Sequence, residues 1–375
     1  MRIGVDAREV MGRPTGVGRY LAELLSAWAD PAAGVAGRHE FVLYAPASLP
    51  QDVAARADAL RPSVRVLPGD GGTSWEQLTL ARAAARDGLD LFFAPAYTAP
   101  IRLPCPVTLT IHDLSFFAHP EWFGRRDGLR RRLLTRLAAR RAAVVLTDTE
   151  FSRGEIQTHL GLPAQRTRVI APGAGRPAGL EATAPLGGET RLSPPREPLV
   201  LYLGSVFNRR HVPDLISAFR LVLARVPEAR LDIIGENRTH PYQDLETLRQ
   251  ASGAADRIRV RSYVPEAELA RAIRQASVFA FLSEYEGFGL PPLEALASGI
   301  PPVLLDTAVA REVCGPAARY VPAGDVPAIG AALADLLDNP AAREAVLNAA
   351  SGVLARYTWP AAARQTMEAL ESAGR

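Results

Sequence analysis

Two glutamates with seven residues between them, Glu286 and Glu294, lie in the stretch Ser283-Glu284-Tyr285-Glu286-Gly287-Phe288-Gly289-Leu290-Pro291-Pro292-Leu293-Glu294-Ala295-Leu296-Ala297-Ser298-Gly299. Gly287 and Gly289 leave backbone amides uncovered, and Pro291 suits the start of a helix over Pro291–Ala297 whose N-terminus attracts anions. The pattern predicts a site for a phosphorylated ligand, with Glu286 acting from the loop and Glu294 about one helical turn further in. A carboxylate also suits sugar hydroxyls, because it accepts two or more hydrogen bonds. A helix cap with incidental acids is the alternative, although capping does not call for that glycine pattern.

A second constellation, Leu203-Gly204-Ser205-Val206-Phe207-Asn208-Arg209-Arg210-His211, sets two guanidiniums beside a glycine turn. Arg209 and Arg210 together suit a diphosphate, with roughly two negative charges and more as a bonded group leaves it. A solvated arginine pair is the competing reading. Near the start, Arg8 and Arg13-Pro14-Thr15-Gly16-Val17-Gly18-Arg19-Tyr20 predict a glycine loop between the first strand and the first helix. It is not the dinucleotide fingerprint, since no third glycine follows Gly16 and Gly18. His112-Asp113 closes a strand ending at Ile111, where a side chain can reach a sugar, although a single histidine is more often structural.

These residues need elements to hold them. Short apolar, β-branched runs at Arg2–Asp6, Glu40–Tyr44, Val64–Leu67, Leu89–Ala94, Val107–His112, Ala143–Thr147 and Arg168–Ala171 alternate with helical patterns, as parallel strands with crossover helices do. From Gly173 to about Pro198 the chain turns to Gly, Pro, Ala and Thr without periodicity and reads as a linker. The same pattern then restarts at Leu199–Gly204, Arg230–Gly235, Ile258–Val264, Val278–Leu282 and Pro302–Leu305, with amphipathic stretches at Pro213–Val226 and Glu266–Gln275. The fold class predicted is α/β: a Rossmann-like domain over 1–175, a linker over 176–197, and a second Rossmann-like domain over 198–357. Ligands of such sheets bind at the carboxyl ends of the strands, which places the expected site in a deep cleft between two facing domains. A last helix over 358–375, with Trp359, Met367 and Leu370 at helical spacing, is expected to cross back to the first domain.

With Gly-Phe-Gly-Leu-Pro after Glu286 and Glu-Ala-Leu-Ala-Ser-Gly from Glu294, the chain resembles the retaining glycosyltransferases of the two-Rossmann (GT-B) fold, family 4. The resemblance implies that Glu286 touches the donor sugar, Glu294 the ribose of the nucleotide, and the Gly287, Phe288, Gly289 and Leu290 amides the diphosphate and sugar. The family usually reads Arg-Lys-Asn where this chain has Arg209-Arg210-His211; arginine binds phosphate as a planar fork where lysine is a point charge. By the same likeness the Gly16 and Gly18 segment approaches the donor phosphate, His112 contacts the transferred sugar, and Glu150-Phe151-Ser152 is structural or on the acceptor side. Ile3-Gly4-Val5-Asp6-Ala7-Arg8 and Thr15-Gly16-Val17-Gly18-Arg19-Tyr20 resemble the subgroup that includes bacterial O-antigen mannosyltransferases. That subgroup implies GDP-mannose as donor and a glycan or lipid-linked glycan as acceptor, with UDP-glucose or another sugar nucleotide still open. Base selectivity falls to loops near Ile234-Gly235-Glu236 and Arg261-Ser262-Tyr263-Val264, with Val264 a donor-binding candidate. No residue demands a covalent intermediate, and no Asp-x-Asp motif is present, so neither a metal nor another cofactor is expected.

Composition narrows the field. The 375 residues, 48% hydrophobic and 22% charged, suffice for two full cores. All 43 Lys+Arg residues are arginine. A Schiff-base lysine for pyridoxal phosphate and a P-loop lysine are thereby excluded, and with them the glycogen-type phosphorylases. Cys105 and Cys314, each beside proline or glycine and far apart, match neither a disulfide framework nor metal-ligand spacing. The opening residues lack a signal-peptide pattern and no apolar run approaches the roughly 20 residues of a membrane span, so the chain reads as cytoplasmic. Arg125–Arg141, preceded by Trp122 and Phe123, reads as a basic amphipathic helix. It either rests on anionic lipid, making the protein peripheral to the inner face of the plasma membrane through 122–141, or is a solvated surface. No nucleic-acid motif accompanies it, and nucleic acid is not an expected partner. A nucleotide-sugar epimerase and a non-catalytic nucleotide-sugar binding protein are the rival functions.

Overall fold

The structure, a computed structural model, describes residues 1–12, 16–175 and 196–374. The chain divides into two compact units, one of Met1–Gly173 with Tyr357–Arg375 and the other of Ala174–Arg356.

The first unit carries β1 (Arg2–Asp6), β2 (Glu40–Ala45), β3 (Ser63–Val66), β4 (Leu91–Ala94), β5 (Val107–Thr110), β6 (Val144–Thr147) and β7 (Thr167–Val169), in the order β3-β2-β1-β4-β5-β6-β7. Every pairing is parallel. Both faces are covered, so Val42, Leu43, Phe92 and Phe93 are all fully buried and the central strands read as unbroken apolar runs. Strand order reverses between β1 and β4, the position at which such sheets open for ligands beyond their carboxyl ends. The helix Gly16–Ala29 buries Leu21, Leu24, Leu25 and Trp28, one stripe at three- and four-residue spacing.

The terminal helix Trp359–Ala373 belongs to this unit, as expected. Thr358 caps it, its hydroxyl accepting from the Ala361 amide at 3.4 Å, and Met367 and Leu370 are buried while Trp359 packs half-buried against the core. Trp28 Nε1 donates to the Ala363 carbonyl at 2.8 Å, joining the first and last helices of the unit.

The second unit carries β8 (Leu199–Leu203), β9 (Arg230–Ile234), β10 (Ile258–Arg261), β11 (Val278–Phe281), β12 (Pro302–Leu305) and β13 (Arg319–Val321), in the order β10-β9-β8-β11-β12-β13, all parallel. This is the doubly wound order with its reversal between β8 and β11.

Several sequence expectations need correction. The strands stop short of His112, Gly204, Gly235 and Val264, which stand in the turns that follow. The edge strand β13, three residues long with a half-exposed surface, has no apolar run and was not foreseen. Most of the expected linker, 176–195, lies outside the described residues. Its end does not: Arg196 donates to the Ser298 and Ile273 carbonyls, and Glu197 accepts from Gln275 Nε2 at 2.6 Å, so both belong to the second unit.

Candidate functional site

In the second unit β8 and β11 are hydrogen-bonded neighbours at the reversal of strand order, so the loops leaving their carboxyl ends emerge side by side. The first runs through Gly204 and Ser205 into the short turn Asn208–Arg210; the second runs over 282–289 into the helix Leu290–Ala297. The Glu284 amide donates to the Arg209 carbonyl at 2.9 Å and fixes one loop to the other.

That arrangement brings Arg209, Arg210 and Glu286 together. Arg210 directs Nε and Nη2 at Glu286 Oε1, at 3.1 and 3.0 Å, while its Nη1 donates to the Ser205 carbonyl at 2.8 Å. Its guanidinium lies 4.7 Å from the centre of the Phe281 ring, and only 10% of the side chain is exposed. Arg209 Nη2 stands 4.0 Å from Glu286 Oε2, and its guanidinium covers the Phe207 ring at 4.8 Å. Ser283 Oγ donates to Glu286 Oε1 at 2.9 Å. Burial alone pushes the Glu286 carboxyl up, but Arg210 and Arg209 outweigh it and hold the group below the usual carboxylate range. Burial likewise opposes charge on Arg210, and Glu286 and then Tyr202 reverse that, so the pair is ionised on both sides. Arg209 Nε is buried and has no hydrogen-bond partner.

Gly289 adopts φ +96°, in the left-handed region that only glycine enters without strain, and forms the N-cap of Leu290–Ala297. Pro291 and Pro292 occupy the first turn and carry no N–H. An anion at this terminus therefore meets the loop amides and the Leu290 amide, not the usual fan of helix donors. Glu286, Phe288 and Gly289 line a pocket together with Leu304, Thr307 and Val313. Glu294 is buried on the helix, with 7% exposure. Val264 is also buried.

In the first unit Gly16 and Gly18 are not in a loop. Both lie in the first turn of the helix Gly16–Ala29, which begins earlier than the sequence suggested, while Arg13–Thr15 lie outside the described residues. Gly16 is exposed. Gly18 packs so closely that a Cβ there would stand 2.1 Å from the Glu9 carbonyl oxygen, which gives it a packing role.

His112 follows β5 and is enclosed by its own unit. Its Nδ1 lies 2.8 Å from Asp148 Oδ2 and its Nε2 3.0 Å from the Pro95 carbonyl oxygen. The Tyr20 ring meets it edge-on at 4.8 Å, and Ser152 Oγ donates to its backbone carbonyl at 3.1 Å. Neither Asp148 nor Pro95 was singled out from sequence; the polar run Thr147-Asp148-Thr149 at the end of β6 was the available signal.

The helix Arg125–Arg141 is as expected, and one face of it is apolar: Leu129, Leu133 and Leu137, four residues apart, are 63%, 55% and 37% exposed. Exposed Arg125, Arg126 and Arg140 accompany them. Cys105 and Cys314 are both buried free thiols. Among the described residues no helix is long and apolar enough to cross a membrane, and no group of three His, Cys, Asp or Glu side chains is gathered to hold a metal.

Comparison with known proteins bears on both units. Residues 14–174 match the model of glycosyltransferase family 4, and residues 189–352 that of glycosyl transferases group 1. O-antigen chain mannosyltransferase B of Escherichia coli is 29% identical over 292 residues, 76% of this chain and 75% of the relative. MMP alpha-(1->4)-mannosyltransferase of Mycolicibacterium hassiacum is 30% identical over 269 residues, 68% of this chain and 58% of the relative. Among solved structures, Anabaena HepE in complex with UDP-glucose superposes with a TM-score of 0.72 at 18% identity, covering 99% of this chain and 100% of that one. With two parallel-sheet Rossmann-like units and these matches, the chain has the GT-B fold and belongs to the group 1 glycosyltransferases of family 4.

Proposed function

We propose that the protein transfers a hexose, mannose, from GDP-mannose to a hydroxyl of a glycan or lipid-linked glycan, retaining anomeric configuration, without a metal ion, in the building of a cell-surface polysaccharide. The observation that carries this reading is the ionised cluster of Arg209, Arg210 and Glu286, with the buried Arg209 Nε lacking an acceptor. The paired guanidiniums of Arg209 and Arg210 suit the oxygens of a diphosphate, and a neighbouring carboxylate that stays ionised is an acceptor for sugar hydroxyls. The two mannosyltransferase relatives support mannose, and the sugar nucleotide of the superposing structure supports this donor class.

In the proposed reaction the bond between the sugar's anomeric carbon and the diphosphate breaks while the acceptor oxygen bonds to the same face of that carbon. The acceptor's proton passes to a departing phosphate oxygen. Arg209, Arg210 and the amides of Gly287, Phe288, Gly289 and Leu290 stabilise the charge that develops, an effect worth typically about 3–4 kcal/mol for one such contact. Glu294 holds the ribose and Val264 lies on the base side; the turn of Gly16 and Gly18 acts on the donor phosphate, and His112, in the turn after its strand, on the sugar. A lipid-linked acceptor fits the exposed stripe Leu129, Leu133, Leu137 with its arginines, which suits the anionic inner face of the plasma membrane.

Thermal-shift and calorimetric titration against GDP-, UDP-, ADP- and dTDP-sugars tests the reading, since a ligand of the folded state raises apparent stability by mass action. Selective stabilisation by GDP-mannose, absent with free mannose, is the expected result. Another sugar nucleotide would replace the donor; turnover without acceptor would point to an epimerase, and tight binding with no turnover to a binding protein. Failure to bind any of them would overturn the proposal.

A further inference from the structure

The two ring nitrogens of His112 face two acceptors. Asp148 Oδ2 lies 2.8 Å from Nδ1 and the Pro95 carbonyl 3.0 Å from Nε2. A neutral imidazole has one N–H and would turn a lone pair toward whichever acceptor it failed to serve; an imidazolium serves both. We infer that Asp148 holds His112 as a buried imidazolium, so that His112 is a fixed cation at the carboxyl end of β5 and Asp148 is its positioning residue.

The surroundings agree. Asp148 is 5% exposed and its other oxygen, Oδ1, has no hydrogen-bond partner, so the carboxylate is committed to this one cation. The charged groups facing the ring are both acidic: Asp148 from the turn after β6, and Asp113 next along the chain. Asp113 is occupied by the Ser115 amide and hydroxyl at 3.0 and 2.8 Å. From the helix Gly16–Ala29 and the turn after β4 come aromatic rings, Tyr20 at 4.8 Å and Tyr97 at 5.9 Å, both edge-on. Burial opposes the charge, yet Asp148 and the Pro95 carbonyl raise the histidine above its ordinary value. With both N–H groups spent on the protein, the ring has neither a basic lone pair nor a free donor. It cannot take a proton from an acceptor hydroxyl, and what it offers a bound ligand is positive potential suited to an electron-rich oxygen.

The test is ring-nitrogen NMR of the full-length protein, with the His112 signal assigned from its loss in His112→Gln. Wild type should show both ring nitrogens still protonated at a pH where free histidine is neutral. Asp148→Asn keeps the shape, and its amide can donate to Nδ1, so the ring should turn neutral with a titration at least ten-fold more acidic. The kinetic arm rests on the transferase reading: in Asp148→Asn, kcat should fall at neutral pH and recover toward wild type as pH falls and the ring is protonated. A neutral ring in the wild type overturns the inference regardless of activity. A charged ring with a pH-independent loss of kcat in Asp148→Asn overturns the positioning role and leaves Asp148 structural.

Discussion

Arg210 meets Glu286 through Nε and Nη2 at one and the same oxygen, Oε1, while Oε2 faces Arg209 at 4.0 Å. On the proposed function Oε2 is the oxygen that receives a sugar hydroxyl, which gives Glu286 two tasks: holding the arginines and meeting the donor. Glu286→Ala removes both. Transfer should fall by two to three orders of magnitude, the range seen when one transition-state contact is lost. Stability should fall as well, because Arg210 is left buried without its counter-ion, a loss of about 3–5 kcal/mol for a broken buried pair. Glu294→Ala should mainly weaken donor binding. Steady-state kinetics and calorimetry on both variants decide this, and near wild-type kinetics in both would sink the assignment.

Gly16 and Gly18 should respond oppositely to alanine. At Gly18 a Cβ would lie 2.1 Å from the Glu9 carbonyl, and backbone must move to admit it. The cost should be about 1–3 kcal/mol of stability. At Gly16 none of the described residues stands within 4 Å of such a Cβ, and an alanine in a helix is favoured over glycine by roughly 1 kcal/mol. Denaturation midpoints check the pair. Any loss of donor affinity in a well-folded Gly16→Ala would locate ligand contact at that residue.

The sequence was most legible where one physical demand dominated. Buried parallel strands must be apolar, so Arg2–Asp6 and Pro302–Leu305 were found at their true bounds, and the glycines and prolines after Glu286 announced a tight turn into a helix because few other structures use that pattern. It was least legible where polar residues from distant strands meet. Asp148 reaches His112 across 36 positions, a pairing set by the order of β5 and β6 and not by any local spacing. The edge strand β13 escaped for the opposite reason: half-exposed, it needs no apolar run.

The stripe of Leu129, Leu133 and Leu137 gives the membrane proposal a direct measurement. Replacing all three with Gln leaves the helix and its arginines in place, since none of the three is buried. Co-sedimentation with vesicles containing anionic phospholipid should fall at least ten-fold, while thermal stability stays within about 0.5 kcal/mol per site, as for ordinary surface changes. Binding that survives the triple variant but vanishes in salt would make the contact electrostatic alone.

Asp6 ends β1 with its carboxylate buried, accepting from the Arg8 amide at 3.1 Å and paired with Arg8 Nε at 3.2 Å, while Arg8 is also bonded to Glu76. Burial outweighs Arg8, and neighbouring Glu76 adds to it, so the Asp6 carboxyl is pushed up to about 6. The folded state therefore keeps a proton that the unfolded chain releases near pH 4. Its contribution to stability is complete below about pH 4 and is lost as the pH rises through 6, amounting in all to roughly 3 kcal/mol. Asp6→Asn abolishes this titration. Because the asparagine amide also faces Arg8 less favourably, absolute stability at one pH is uninformative, and the informative quantity is how the difference between the two proteins varies. In urea denaturation from pH 4 to 7 the variant should gain on the wild type steadily across that window and stop gaining above it. A difference that stays constant with pH would mean that Asp6 is ionised throughout and that Arg8, not burial, governs this strand end.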